Sequence, residues 1–230
     1  MTEIFNNLIY EPMLSVLIFI HGNAAFGDLG VAIIILTLLV RVVLFPIFWK
    51  SAKDQALMAR LQPHIKKIQL DHKDNREEQA KRLMALYREH RLNPLSGFFL
   101  LLLQLPVLIA LYQIFLREIT AEVFGNLSFL GVLDLSGRSL VLTIFAAAIQ
   151  YLQSKISLPK QSGQFAQMGR MMTVVGPVVT FVILMNFPAA LGLYWTTSIL
   201  FSLGQQVIIN KRLPRIEDDD GHSGKNQKHA

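Results

Sequence analysis

The 230-residue chain contains no cysteine, which excludes structural disulfides, thiolate metal sites and a cysteine-borne lipid anchor. Histidine is sparse: His64, His72 and His90 fall in a charged segment, His222 and His229 near the end, and His21 stands alone. None has ligand-like spacing to an acidic partner, so neither a metal site nor a cofactor is expected. No lysine or arginine precedes Arg41, so the basic start of a secretory signal or an organellar targeting peptide is lacking. Also missing are a P-loop glycine pattern, an HExxH, a Gly-x-Ser-x-Gly and any carboxylate pair within an apolar run. ATP hydrolysis, proteolysis and proton coupling therefore have nothing to stand on, and the chain is not expected to be an enzyme.

What is present is apolar. Hydrophobic residues make up 52%, and they come in long runs rather than in the alternating or heptad patterns of a soluble domain. A membrane-crossing helix takes about 20 apolar residues, and the runs 31–49, 94–116, 171–187 and 189–209 meet that length. A fifth, 139–156, is interrupted by Gln150 and Gln153 near its end. The expectation is an all-α integral membrane protein with five transmembrane helices and a helical hairpin between the first two. The segment 4–20 holds Glu11 and Pro12 at its middle. A mid-bilayer acid costs about 2.5–3.5 kcal/mol on insertion scales, so residues 1–28 are expected to form an outer interfacial segment. Residues 29–49 would be the first transmembrane helix, 50–92 the hairpin, 93–212 the four further helices and 213–230 a disordered tail. That tail carries Glu217, Asp218, Asp219 and Asp220 and little apolar content.

The formal net charge of +6 is unevenly distributed. Lysine and arginine crowd residues 50–91, are scarce in the next loop (Arg117, Arg138), and return at Lys155, Lys160 and Arg170 and again at Lys211, Arg212 and Arg215. Basic and poor loops alternate, which by the positive-inside rule places the N-terminus outside and the C-terminus in the cytoplasm of a multi-pass protein. Within the basic segment, Leu57, Leu61, Ile65 and Ile68 recur at helical spacing. So do Ala80, Leu83 or Met84, and Tyr87, after the turn-like run 71–75. Two narrow apolar stripes can zip together as a hairpin, with Pro63 bending or restarting its first helix. Between residues 186 and 189 no charge intervenes, and Pro188 marks a tight turn between the last two spans.

Arg41 is the single charge inside a clear apolar run. Its distance from Trp49 corresponds to about 12 Å of helix rise, roughly twice what a guanidinium can reach, so snorkelling to the interface is strained. An intramembrane arginine reads as functional. Thr37 lies one turn away on the same face, and Gln104, Gln150, Gln153, Thr196, Thr197 and Ser198 place polar groups in three other spans. Each alone is ordinary interhelical glue, but around one arginine they suggest a hydrophilic cavity.

Several strings then resemble one family. Asn93-Pro94-Leu95-Ser96-Gly97, Gln104-Leu105-Pro106 and Ala110-Leu111-Tyr112 are similar to the signature of the YidC/Oxa/Alb-type membrane protein insertases. So are Thr37-Leu38-Leu39-Val40-Arg41 with Pro46, Leu61-Gln62-Pro63, Leu152-Gln153, Phe187-Pro188 and Leu193-Tyr194-Trp195. They run in family order from about residue 29 to 212. The resemblance implies a five-helix core with a hydrophilic groove open to cytoplasm and lipid. Arg41 stands at the groove-arginine position, Thr37 and Gln104 at groove-lining positions, Trp195 where members carry an aromatic, and residues 50–91 match a mobile cytoplasmic hairpin. Gln153 joins the groove by its place in the third span. Leu100 departs from a proline common in the second span. Without an outer domain the chain resembles a minimal bacterial form in the plasma (inner) membrane, with a short tail unlike the long basic ribosome-holding tails of some relatives.

The function implied is insertion and folding of client membrane proteins without nucleotide. The clients are nascent, hydrophobic chains with short acidic translocated segments. Client and lipid bilayer are the implied partners, with the ribosome and a Sec translocon left open and no direct readout of nucleic acid. A small transporter or channel is the rival class, but internal repeats and midplane coupling carboxylates are not found. A chaperone that holds helices already inserted remains a third reading.

Overall fold

The computed structural model describes residues 3–93, 95–157 and 164–213. It opens with α1 (Glu3–Phe5), which passes through a π-helical turn (Asn6–Tyr10) into α2 (Glu11–Asn23). Pro12, in the first turn of α2, cannot donate a backbone hydrogen bond, and the wider turn before it accommodates that loss. Asp28 then starts α3 (Leu29–Val43): one carboxylate oxygen accepts the Val31 N–H at 2.9 Å. The other accepts the Leu130 N–H at 2.6 Å, fastening the helix start to a distant hairpin.

Helix α3 stops at Leu44 because Pro46, in the first turn of the next helix, supplies no N–H to continue it. α4 (Phe45–Arg60) leaves at 72° to α3. Pro63 acts similarly, separating α4 from α5 (Gln62–Asp71). Asn75 caps α6 (Arg76–Glu89) by accepting the Glu78 N–H at 3.0 Å. Around Leu61, Ile65 and Leu92 this region has a core of its own, with Leu57, Leu83 and Tyr87 against it. Gln79 donates to the Gln69 carbonyl at 3.0 Å, tying α6 to α5. Met84 stays exposed.

α7 (Ser96–Arg117) contains Pro106, and the short α8 (Ala121–Phe124) leads to a ribbon of β1 (Ser128–Phe129) and β2 (Leu133–Asp134). The strands pair antiparallel, Ser128 opposite Asp134 and Phe129 opposite Leu133. α9 (Leu140–Ser157), α10 (Gln164–Leu184) and α11 (Ala189–Arg212) complete the order. Pro188 caps α11, whose first donors, Ala189 and Ala190, bond the carbonyls of Gly137 (2.7 Å) and Leu135 (3.1 Å). Two orphan N–H groups of the helix start are thereby satisfied by the loop that follows the ribbon.

The main core joins α2, α3, α7 and α11, with Leu17, Ile33, Leu111, Ile114 and Leu135 fully enclosed. α9 lies against both α10 and α11, and α11 against α3. Outward surfaces are apolar too: Val141, Ile144 and Phe145 on α9 and Val174, Val178 and Val182 on α10 are all exposed. Contiguous exposed apolar surface of this kind marks contact with lipid or protein rather than water.

The architecture is all-α apart from the small ribbon, but the five-span expectation is overturned. Among the described residues one helix, Glu3–Asn23, is long and apolar enough to cross a bilayer. A second is reached only if Leu29–Val43 and Phe45–Arg60 count together despite their 72° bend. Leu102–Arg117, Leu140–Ile156 and Thr173–Leu184 are apolar but shorter, at 10–17 residues. The multi-pass localisation, with its N-outside and C-inside placement, falls with that count. The hydropathy window over 31–49 read straight through the break at Leu44, and the one over 189–209 ran across the threonines, serines and glutamines that dilute α11. The expected disordered tail lies outside the described residues.

Candidate functional site

The break at Leu44 positions the most unusual side chain of the chain. Arg41 occupies the last turn of α3 and is only 8% exposed. Its guanidinium carbon sits 4.4 Å from the centre of the Phe48 ring on α4, a cation–π contact across the bend. No acidic side chain pairs with Arg41 among the described residues.

Arg41 opens on a cavity of about 340 Å³. Phe48 comes from α4, Gln104, Leu105 and Leu108 from α7, and Gln150 and Gln153 from α9; α11 supplies Tyr194, Trp195 and Ser198 and their neighbours. Carbon dominates much of the wall, with amides, hydroxyls and one guanidinium set into it. Gln104 donates through Nε2 to the Tyr194 hydroxyl, linking α7 to α11 at the cavity edge. Tyr194 is 3% exposed, so its phenol has little access to bulk water and the Gln104 amide supplies the partner a buried hydroxyl needs. Close contact elsewhere sets the helix spacing: a Cβ on Gly192 would stand 3.1 Å from Leu142 Cδ2, so α11 approaches α9 at a position that has no room to spare.

Of the residues singled out from sequence, Arg41, Gln104, Gln150, Gln153, Trp195 and Ser198 come together at this cavity, whereas Thr196 and Thr197 bond the carbonyls of Gly192 and Leu193 within α11 and do not line it. Thr37 does not line it. Its hydroxyl donates to the Ile33 carbonyl at 2.6 Å within α3, and the side chain is buried in the packed interior. Helical proximity to Arg41 therefore did not carry Thr37 to the cavity. Phe48, Tyr194 and Ser202 were not foreseen as lining residues. Tyr194, Ser198 and Ser202 recur at intervals of four, a stripe the sequence does carry. Phe48 had no such signal, because the bend that brings it to Arg41 is a tertiary feature. Among the described residues no cluster of three His, Asp or Glu side chains could hold a metal ion.

Comparison with known proteins points one way. A family model described as 60Kd inner membrane protein matches residues 20–217. Curated relatives described as membrane protein insertase YidC are similar to this chain. They include those of Francisella tularensis subsp. novicida (strain U112), subsp. tularensis (strain WY96-3418) and subsp. holarctica (strain FTNF002-00 / FTA). Each is 34% identical over 191 residues, covering 83% of this chain and 34% of the relative. The chain thus spans about a third of the length of the curated relatives it matches.

Proposed function

The chain belongs to the YidC/Oxa/Alb family, and on that premise we propose that it inserts client membrane proteins into the bilayer and assists their folding, with the Arg41 cavity as the groove that receives the client. Hydrophobic transfer of the client's apolar segment, at about 25 cal/mol per Å² of apolar surface removed from water, drives the process without nucleotide. No covalent step is required of any residue. The protein lowers a barrier, that of desolvating the polar stretch a client must carry into an apolar medium. Gln104, Gln150 and Gln153 offer amides to such a stretch, Trp195 and the leucines of α7 offer apolar contact, and Arg41 offers charge. Thr37 takes a supporting place one turn before Arg41, its hydroxyl closed on its own helix. The exposed valines of α10 and aromatic and aliphatic groups of α9 suit contact with lipid or with the client's apolar segment. A bacterial membrane is the proposed site of action, and the ribosome and Sec translocon are candidate partners on family grounds alone.

The observation that carries this reading is the state of Arg41: buried, unpaired with any acid among the described residues, and facing a cavity large enough to admit a segment of another chain. A buried, uncompensated charge in a low-dielectric setting is costly, and it attracts whatever negative group can reach it. The test is insertion into liposomes holding the purified protein, using two clients that differ only in acidic residues of the translocated segment. Arg41→Ala should lower insertion of the acidic client about tenfold more than that of the neutral one, a difference of about 1.4 kcal/mol. Equal losses for both would remove electrostatic attraction from the account. A solute flux through the same liposomes, without insertion, would favour a transporter instead.

A further inference from the structure

A second cavity, of about 250 Å³, lies where the last turn of α11 meets α4, lined by Trp49, Lys53, Ile209, Arg212 and Leu213. We infer that it binds the phosphate group of an anionic phospholipid, with Lys53 and Arg212 as the cations and Trp49 as the wall beside the glycerol backbone.

The charges favour an anion. Lys53 and Arg212 are both exposed and neither forms an ion pair among the described residues, although Lys53 is near enough to Asp54 to act on it through charge. The nearest acid in sequence, Asp54, lies on a neighbouring face of α4, where it is buried against the backbone of Asn93. A helix C-terminus would ordinarily repel an anion through its unsatisfied carbonyls. Here that repulsion is cancelled: Arg60 donates to the carbonyls of Asn210 and Leu213, each at 2.9 Å. The end of α11 is thus capped by a guanidinium, which offsets the carbonyl dipoles and leaves Lys53 and Arg212 as the charges that line the cavity.

The walls favour a lipid over a free ion. Ile209 is buried and Trp49 and Leu213 half-buried, so three of the five lining residues present apolar ring or aliphatic carbon that inorganic phosphate would not use. Trp49 stands where the apolar stretch of α3 and early α4 gives way to Lys50 and Lys53, and Arg212 where apolar α11 ends. Tryptophan flanked by lysine and arginine at such a boundary is the composition of a headgroup-level site. Nothing in this inference depends on client insertion, so the two readings can fail separately.

The chain has two tryptophans, so Trp195→Phe leaves Trp49 as sole reporter. Its fluorescence is followed in detergent while short-chain phosphatidylglycerol, the matching phosphatidylcholine or inorganic phosphate is added. Saturable change is expected with phosphatidylglycerol alone. In a Lys53→Gln/Arg212→Gln variant the half-saturation point should rise about tenfold or more, as two lost charges near a phosphate surface require. Lys53→Arg/Arg212→Lys should bind as the parent does, which separates lost charge from damaged folding. An equal response to phosphatidylcholine, or to inorganic phosphate, would overturn the lipid assignment, as would an unchanged affinity in the double Gln variant. The acidic run beyond Arg212 is the rival occupant. If phosphatidylglycerol binds only after Asp218, Asp219 and Asp220 are changed to Asn, the cavity belongs to the chain's own tail and the inference falls.

Discussion

Arg41 and Phe48 lie on either side of a 72° bend, yet the guanidinium carbon of one rests 4.4 Å from the ring centre of the other. In an unbroken helix seven residues span about 10.5 Å of rise, which would hold the two groups apart. The bend turns the start of α4 back under the end of α3, and Phe48 closes over the charge it would otherwise miss.

Phe48→Leu keeps an apolar side chain but removes the ring face. A desolvated cation–π contact contributes about 2 kcal/mol, and its loss should lower the unfolding midpoint of the detergent-solubilised protein. Phe48→Tyr should hold the midpoint close to the parent. If Leu and Tyr variants melt alike, the ring contributes packing alone.

Arg41→Lys preserves charge and loses the planar fork. Because no carboxylate engages Arg41 among the described residues, no bidentate geometry is sacrificed. Insertion of an acidic client should stay within roughly threefold of the parent, under about 1 kcal/mol, whereas Arg41→Ala should fall well beyond that. A lysine variant as inactive as alanine would assign the guanidinium a specific hydrogen-bonding role.

Gly30 packs directly on Phe129: a Cβ added at residue 30 would lie 2.2 Å from the ring carbon Cδ2. Gly30→Ala should therefore destabilise the protein by about 1–3 kcal/mol, the usual cost of overpacking. Phe129→Ala in the same chain should relieve part of it, giving a favourable coupling in a double-mutant cycle. Additive losses would mean that α3 and the ribbon can move apart freely.

Asp134 accepts from the Ser136 N–H at 2.9 Å and from the Ser136 hydroxyl at 2.7 Å, and these bonds hold its carboxyl below the ordinary aspartate range. A folded-state pKa below the unfolded one gives stability that is present above the unfolded pKa, about 3.9 for aspartate. That stability is lost as pH falls through the folded pKa. The parent should melt above Asp134→Asn at neutral pH, and the gap should close as pH drops below about 4. The group is nearly fully exposed, so the gap will be small. A gap that stays constant down to low pH would show that the charge on Asp134 is immaterial.

Much of the local organisation was legible in the sequence by itself. Pro63 and Pro188 marked real helix boundaries because a missing N–H acts wherever the residue stands. The stripes through Leu61, Ile65, Leu83 and Tyr87 announced a packed pair because helical period depends on neighbours in the chain. Arg41 stood out because a charge in an apolar run is anomalous in any fold. Tertiary structure alone decided the rest. Whether residues 29–60 form one span or two angled helices rested on how α4 packs against α7 and α11, which a hydropathy sum over residues cannot register. The last span was overcounted for a different reason: α11 is unbroken over Ala189–Arg212, but its threonines, serines and glutamines dilute the apolar content that a bilayer crossing needs. Thr37 and Phe48 show the same divide at the cavity. The residue one turn from Arg41 faces the packed interior, and the one beyond the bend faces the guanidinium, because helix rotation and bend angle are set by distant contacts.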